Sequence, residues 1–300
     1  MSTARRAITA TALAGVFGAI SLSSLPASAG VPADFSYGLG CMETFTDPDL
    51  NTLTNACDNT SAFSSQVSSI GTELFRYSLE GSIGPAFLEE AYDGPTKAES
   101  VDLIMIATHT GSQGTDDHGN PTVQIAGKDW PSRGANNKMG VAWSSKMNLG
   151  NEGKGLSILA IVGCGATAWY PHPAGNGYEY AVFGSFRQRW TSAFSGGLRI
   201  VLGNWDQGYD TKTKGDKFGK YVKAGLTLKD AWRRSDWESD QRIDTSIVSM
   251  ALNQDECFDR LNNMTIANYP SYPRRRGADA AGYACFEWWT NDSIGERPQP

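Results

Sequence analysis

Positive charge is scarce in this chain. Its 26 Lys and Arg are outnumbered by 32 Asp and Glu, which leaves a formal net charge of −6. The basic block that stands out, Arg274-Arg275-Arg276 after Pro273, reads as a solvated turn. A nucleic-acid partner requires a basic face to neutralise phosphates, so none is expected. Long apolar runs are also missing. Beyond the N-terminus no stretch reaches the ~18 apolar residues that a membrane helix requires, and no membrane partner is expected. There is no internal repeat and no low-complexity linker. Histidine is rare, with only His109, His118 and His172. Their spacing matches no zinc pattern, so neither a metal nor another cofactor is expected.

The N-terminus has the form of an export signal. Arg5 and Arg6 make a positive start, residues 7–25 are mostly apolar, and Pro26-Ala27-Ser28-Ala29 offers small residues for cleavage after Ala29. The arginine pair also admits a twin-Arg signal. The mature chain would then be secreted and about 270 residues long, enough for one large domain or two small ones. Nine Trp, 11 Tyr and 12 Phe supply the bulk for a core.

Five cysteines are an odd number for an exported protein, which usually leaves one thiol over. Cys41 and Cys57 lie in a loop-like N-terminal stretch, and Cys257 and Cys285 flank a loop-like C-terminal one. Two local disulfides, Cys41–Cys57 and Cys257–Cys285, would leave Cys164. Four paired cysteines allow three connectivities, and the other two stay open.

Two apolar runs dominate the middle of the chain: V-D-L-I-M-I-A-T-His109-T-G-S and L-S-I-L-A-I-V-G-Cys164-G-A-T. Both are rich in Ile, Val and Leu with little alternation. That pattern predicts strands buried on both faces of a parallel sheet, side by side at 101–107 and 156–162. Residues 35–40 and 198–203 predict two more strands. Helices are expected at 64–77, 81–91, 183–194, 216–224 and 227–237, the last with Thr227 as N-cap and Asp230 three positions on. Long loops are expected at 110–139, 169–180 and 206–213. The signal at 243–250 is ambiguous, and the last 45 or so residues give no placement. Strands alternating with helices indicate an α/β architecture with three layers, a central mostly parallel sheet flanked by helices.

Each central run ends on a side chain capable of catalysis. At the carboxyl ends of neighbouring strands, His109 and Cys164 can meet on the rim where open α/β sheets bind ligands. There the imidazole can serve the thiol as base and acid. Gly163 and Gly165 flank Cys164 and let the chain turn tightly. The backbone N–H groups of Cys164 and Gly165, with one near Gly111, could hold an oxyanion. His118 is the rival base. Trp205, Asp206 and Asp210 follow the strand at 198–203. They reach the same rim and are candidate substrate-binding residues, the acids for a cationic side chain. The competing reading of these acids is a turn in which Asp caps the backbone.

These residues carry a resemblance. L-I-M-I-A-T-His109-T-G and L-A-I-V-G-Cys164-G-A resemble the two strand ends of the caspase-like (clan CD) cysteine peptidases, a group with caspases, gingipains, clostripain, separase and bacterial CHAT domains. The His-to-Cys distance of 55 positions is close to the ~50 of caspases. F-R-Q-R-W-T-S-A-F-S-G-G-L-R-I-V-L-G-N-W-D and A-G-L-T-L-K-D-A-W-R-R-S resemble the CHAT pattern that follows. The match covers about residues 101–237. The Q-A-C-R-G box of caspases is absent, Thr110 stands between His109 and Gly111, and no third triad member is visible. The resemblance implies a single caspase-like domain over 30–300, with disulfide-stapled extensions, acting as a monomer. It implies hydrolysis of a peptide or protein substrate through a thioester on Cys164. The alternatives are an inactive binding protein on the same scaffold and another thiol acyltransferase.

Overall fold

The computed structural model describes residues 30–77, 83–89, 97–129, 140–151, 154–168, 186–205, 210–239 and 245–289. The proposed signal at 1–29 lies outside them. The first strand, β1 (Ser36–Cys41), is buried along its whole length. Helix α1 (Ala56–Val67) follows, then strand β2 (Thr72–Tyr77). The single helix expected at 64–77 is therefore divided. Thr-Glu-Leu-Phe-Arg-Tyr alternates exposed and half-buried positions, which is the period of a strand at a sheet edge. Its Phe75 ring lies 2.1 Å from where a Cβ on Gly38 would stand, so a glycine in β1 makes room for it.

Of the helix expected at 81–91, one turn is present, α2 (Pro85–Leu88); 81, 82, 90 and 91 lie outside the described residues. Strand β3 (Leu103–Ala107) is the first of the two central runs. The loop expected at 110–139 is a correction. It begins with a hairpin, β4 (Thr110–Thr115) and β5 (Pro121–Ile125), joined in a small second sheet by β6 (Ala142–Trp143). The hairpin turn is closed by Asp116, whose carboxylate accepts the N–H groups of His118 and Asn120 and the Asn120 side-chain amide. Residues 130–139 are outside the described set.

Strand β7 (Ile158–Val162) is the second central run. Helix α3 (Phe186–Ser195) and strand β8 (Ile200–Asn204) match the expected helix and strand, except that 183–185 lie outside the described residues. Helices α4 (Thr213–Lys223) and α5 (Leu228–Glu238) follow. The Thr227 hydroxyl accepts the Asp230 N–H, as its N-cap position predicts. The ambiguous stretch is β9 (Thr245–Ala251), and the C-terminal region forms α6 (Gln254–Asn263) and β10 (Tyr283–Trp289).

The large sheet has the order β10-β9-β8-β7-β3-β1-β2. β2, β1, β3, β7 and β8 are mutually parallel; β9 runs antiparallel to β8, and β10 antiparallel to β9, back in the direction of the first five. The fold is thus mixed α/β around a mostly parallel central sheet. Alternate side chains of the central strands enter two separate cores. Leu103, Met105, Ile158 and Ala160 pack with Phe63, Phe218 and Trp232 from α1, α4 and α5. Ile104, Ile106, Leu159 and Ile161 pack with Trp190 and Phe194 from α3. With both faces covered, neither run can alternate with polar residues.

Disulfides join Cys41 to Cys57 and Cys257 to Cys285, and Cys164 keeps its thiol. The arginine block is more than a solvated turn. Arg274 donates to the carbonyls of Lys154 and Gly155, Arg275 pairs with Glu256 at 3.0 Å, and Arg276 alone of the three is exposed. Backbone carbonyls and one carboxylate draw the first two side chains into the fold. Among the described residues no helix is long and apolar enough to cross a membrane.

Candidate active site

The strand order reverses between β1 and β3. From β1 the chain passes to β2 on one side; from β3 it passes to β7 on the other. In open α/β sheets such a point, at the carboxyl ends of the strands, opens a crevice for ligands. A cleft open to solvent lies there. Ala107, Thr108 and His109 wall it at the end of β3, and Val162, Gly163 and Cys164 at the end of β7. Leu53, Ala56 and Asn59 come from the approach to α1 and from α1 itself, and Asp210 and Thr211 from the segment after β8.

His109 and Cys164 occupy equivalent places. Ala107 and Val162 are paired in register, and each candidate residue stands two positions beyond. Paired parallel strands are ~4.8 Å apart, so the two side chains start from neighbouring points on the rim. The Thr108 N–H donates to Val162 O at 3.1 Å and holds the strand ends together. The Thr110 hydroxyl donates to Cys164 O at 2.5 Å, which pins the turn that carries the thiol.

Gly163 makes this approach possible. A Cβ there would stand 2.6 Å from both Thr108 O and Thr110 Oγ1. Gly165 completes the turn with φ +59°, in the left-handed region that glycine adopts without strain. Gly163→Ala is expected to destabilise the fold by about 1–3 kcal/mol, the range for overpacking, and to slow Cys164 alkylation. Urea unfolding and thiol labelling would check this; a variant with wild-type values of both would show that the strand ends have room to separate.

His109 is half-buried, with its ring centroid 4.9 Å from that of Phe45 and its Nε2 2.8 Å from the carbonyl of Asn51. A carbonyl only accepts, so Nε2 carries the hydrogen, and in the neutral imidazole Nδ1 keeps the lone pair. The group that holds His109 Nε2 is a backbone carbonyl. Any residue type supplies one, so position 51 has no distinguishing side chain.

The remaining candidates are spread over several places. Asp210 walls the cleft, but its two carboxylate oxygens accept the Asn55 N–H at 2.9 and 3.0 Å, and one also accepts the Thr54 hydroxyl. It secures the start of α1, a segment 155 positions away. Asp206 lies outside the described residues, as does His172. Trp205 stands against Trp288, with ring centroids 5.2 Å apart, and is not one of the cleft's walls. Gly111 lies in β4 opposite Gln124, and Gly165 one residue past the wall.

His118 belongs to the β4–β5 turn, where it meets Asp117 and Lys146 at 2.7 Å each, and is not one of the cleft's walls. Asp116, Asp117 and His118 bring three ligand atoms within 4.8 Å of one another. Burial would push the Asp116 carboxyl up, but the Asn120 and His118 hydrogen bonds outweigh it and hold the group at about 2. That carboxylate is engaged in closing the turn. Leu53, Ala56, Asn59 and Thr211 are cleft residues that sequence reading missed, because they come from segments distant in sequence.

A family model described as a domain of unknown function, DUF6345, matches residues 43–288. The chain belongs to this family. The matched region contains His109, Cys164 and every wall of the cleft. No curated protein matches the chain.

Proposed function

We propose that this member of the DUF6345 family is a secreted cysteine peptidase with a caspase-like core, in which Cys164 is the nucleophile and His109 the general base and acid. One observation carries the reading. On adjacent parallel strands, an imidazole and a thiol occupy the same offset beyond a paired residue, in one cleft at the reversal of strand order. Three further features support it: the Nε2–H contact to Asn51, which leaves Nδ1 for the thiol, the two disulfides, and an N-terminal sequence that reads as an export signal.

The reaction runs as follows. His109 takes the thiol proton, and the Cys164 sulfur adds to the peptide carbonyl. The backbone N–H groups of Cys164 and Gly165 stabilise the oxyanion. The C–N bond then breaks, with the proton on His109 going to the leaving amine, and a thioester remains on Cys164. Water, deprotonated by His109, attacks the thioester; the C–S bond breaks and the thiol is restored. The substrate is a peptide or protein, and the monomer contains both reacting groups.

A peptide library incubated with the purified mature protein tests this. The expected result is cleavage that is lost in Cys164→Ala, with the fold retained by circular dichroism. Transfer of the acyl group to an added amine with no hydrolysis would replace the peptidase with an acyltransferase. Peptide binding equal in wild type and Cys164→Ala, with no turnover in either, would replace it with a binding protein.

A further inference from the structure

We infer that the loop closed by the Cys41–Cys57 disulfide is the positioning element for His109, so that the reactivity of Cys164 depends on a disulfide that touches neither reacting atom. This rests on the dyad reading above. The loop starts at the end of β1 and finishes at the second residue of α1. Within it lie both groups that hold the imidazole: Phe45 against its ring and Asn51 O on its Nε2. Leu53, in the same loop, walls the cleft.

The loop is tied at its base. Leu53 N–H donates to Glu43 O at 2.9 Å, and the Glu43 carboxylate accepts the Cys57 N–H at 3.1 Å. Near its start, Met42 N–H donates to Ala107 O at 3.0 Å, which joins it to the strand that leads to His109. Farther along, Thr46 N–H donates to Lys128 O at 2.8 Å, and Asp210 receives the Asn55 N–H.

Asn51 itself is exposed, and the hydrogen bond to His109 is at the surface. Water competes for such a bond, so its occupancy depends on how narrowly the loop is confined. A covalent closure across 16 positions supplies that confinement. The second disulfide has no such link. Cys257–Cys285 joins α6 to β10, and neither residue walls the cleft. The two disulfides are thus expected to differ in kind: both stabilise the fold, and one also sets the orientation of a catalytic group.

The test is the pH profile of Cys164 alkylation by iodoacetamide, which requires no substrate. Wild type is expected to show a reactive thiolate well below the ordinary thiol range near 8.5. In Cys41→Ser/Cys57→Ser, where Cys164 is the only thiol, the profile should move towards that ordinary range. The rate at pH 6 should fall by about tenfold or more, since a tenfold loss corresponds to one unit of thiol ionisation. Cys257→Ser/Cys285→Ser should lose thermal stability but keep the wild-type profile. Asp210, the other titratable wall of the cleft, is unchanged in all three proteins.

If Cys41→Ser/Cys57→Ser fails to fold, Phe45→Ala decides with both disulfides intact: an upward move of the profile supports the proposal, and an unmoved profile overturns it. A folded Cys41→Ser/Cys57→Ser protein with the wild-type profile overturns the positioning role and leaves the dyad standing. An ordinary thiol profile in wild type overturns the dyad, and the positioning role with it.

Discussion

Lys214→Met is expected to cost about 3–5 kcal/mol of folding stability, the penalty for breaking a buried ion pair from one side. Lys214 in α4 and Asp236 in α5 are fully buried, with Nζ 2.6 Å from Oδ1. The ammonium also donates to Asn204 Oδ1 at 2.9 Å and stands 3.7 Å from the centroid of the Trp232 ring. Asp236 accepts the Thr245 hydroxyl at 2.6 Å, so the pair ties both helices to the ends of β8 and β9. Burial pushes the Lys214 pKa down and the Asp236 pKa up, and each charge opposes that push on its partner. Without Lys214 the raised Asp236 stays protonated in the folded state above the unfolded carboxyl pKa of about 3.9. The folded protein then binds more protons than the unfolded one, and stability falls as pH rises. The loss should be smallest near pH 4 and grow towards neutrality. Lys214→Met/Asp236→Leu should recover most of it, because replacing both charges leaves no orphan. Urea titrations across this pH range would check the sign; a cost below about 1 kcal/mol at pH 7 would mean that water reaches the pair.

The parts of the fold legible in the sequence are those where burial dictates composition. β3 and β7 are enclosed on both faces, so their unbroken Leu, Ile and Val can be read directly. Thr227 could be read as a cap because the hydroxyl that accepts the Asp230 N–H is a local signal. β2 and the β4–β5 hairpin were not legible. β2 lies on an edge and carries only alternate half-buried residues, while β4 is T-G-S-Q-G-T, a strand without large apolar side chains. Its strand character comes from its partner β5 and from the Asp116 turn. The C-terminal α6 and β10 are linked by Cys257–Cys285, which compensates for a weak local pattern. At the site, His109 and Cys164 were legible because both follow a buried strand. Asn51 was not, because it meets His109 through its backbone carbonyl, and Asn59 was not, because its position in the cleft depends on how α1 docks on the sheet.

His109→Ala is expected to lower peptide turnover by about 10²–10⁴-fold, the usual share of a positioned general acid–base. Cys164→Ala should remove turnover altogether, and the double variant should be no worse than Cys164→Ala alone, since residues acting as one unit are not additive. The structure explains why the fold should survive. His109 and Cys164 are both half-buried at strand ends and contribute to neither core. The His109→Ala protein loses one surface hydrogen bond and one ring contact, a cost of about 1 kcal/mol. It also retains the thiol. Its residual turnover should therefore climb with pH as bulk hydroxide replaces the imidazole, whereas wild type should already be active near neutrality. Steady-state rates on the best library peptide from pH 5 to 9 would show this. If the single losses instead multiply in the double variant, His109 and Cys164 serve separate steps. If His109→Ala keeps the wild-type rate, the base lies elsewhere on the rim, and the Asn51 contact serves packing alone.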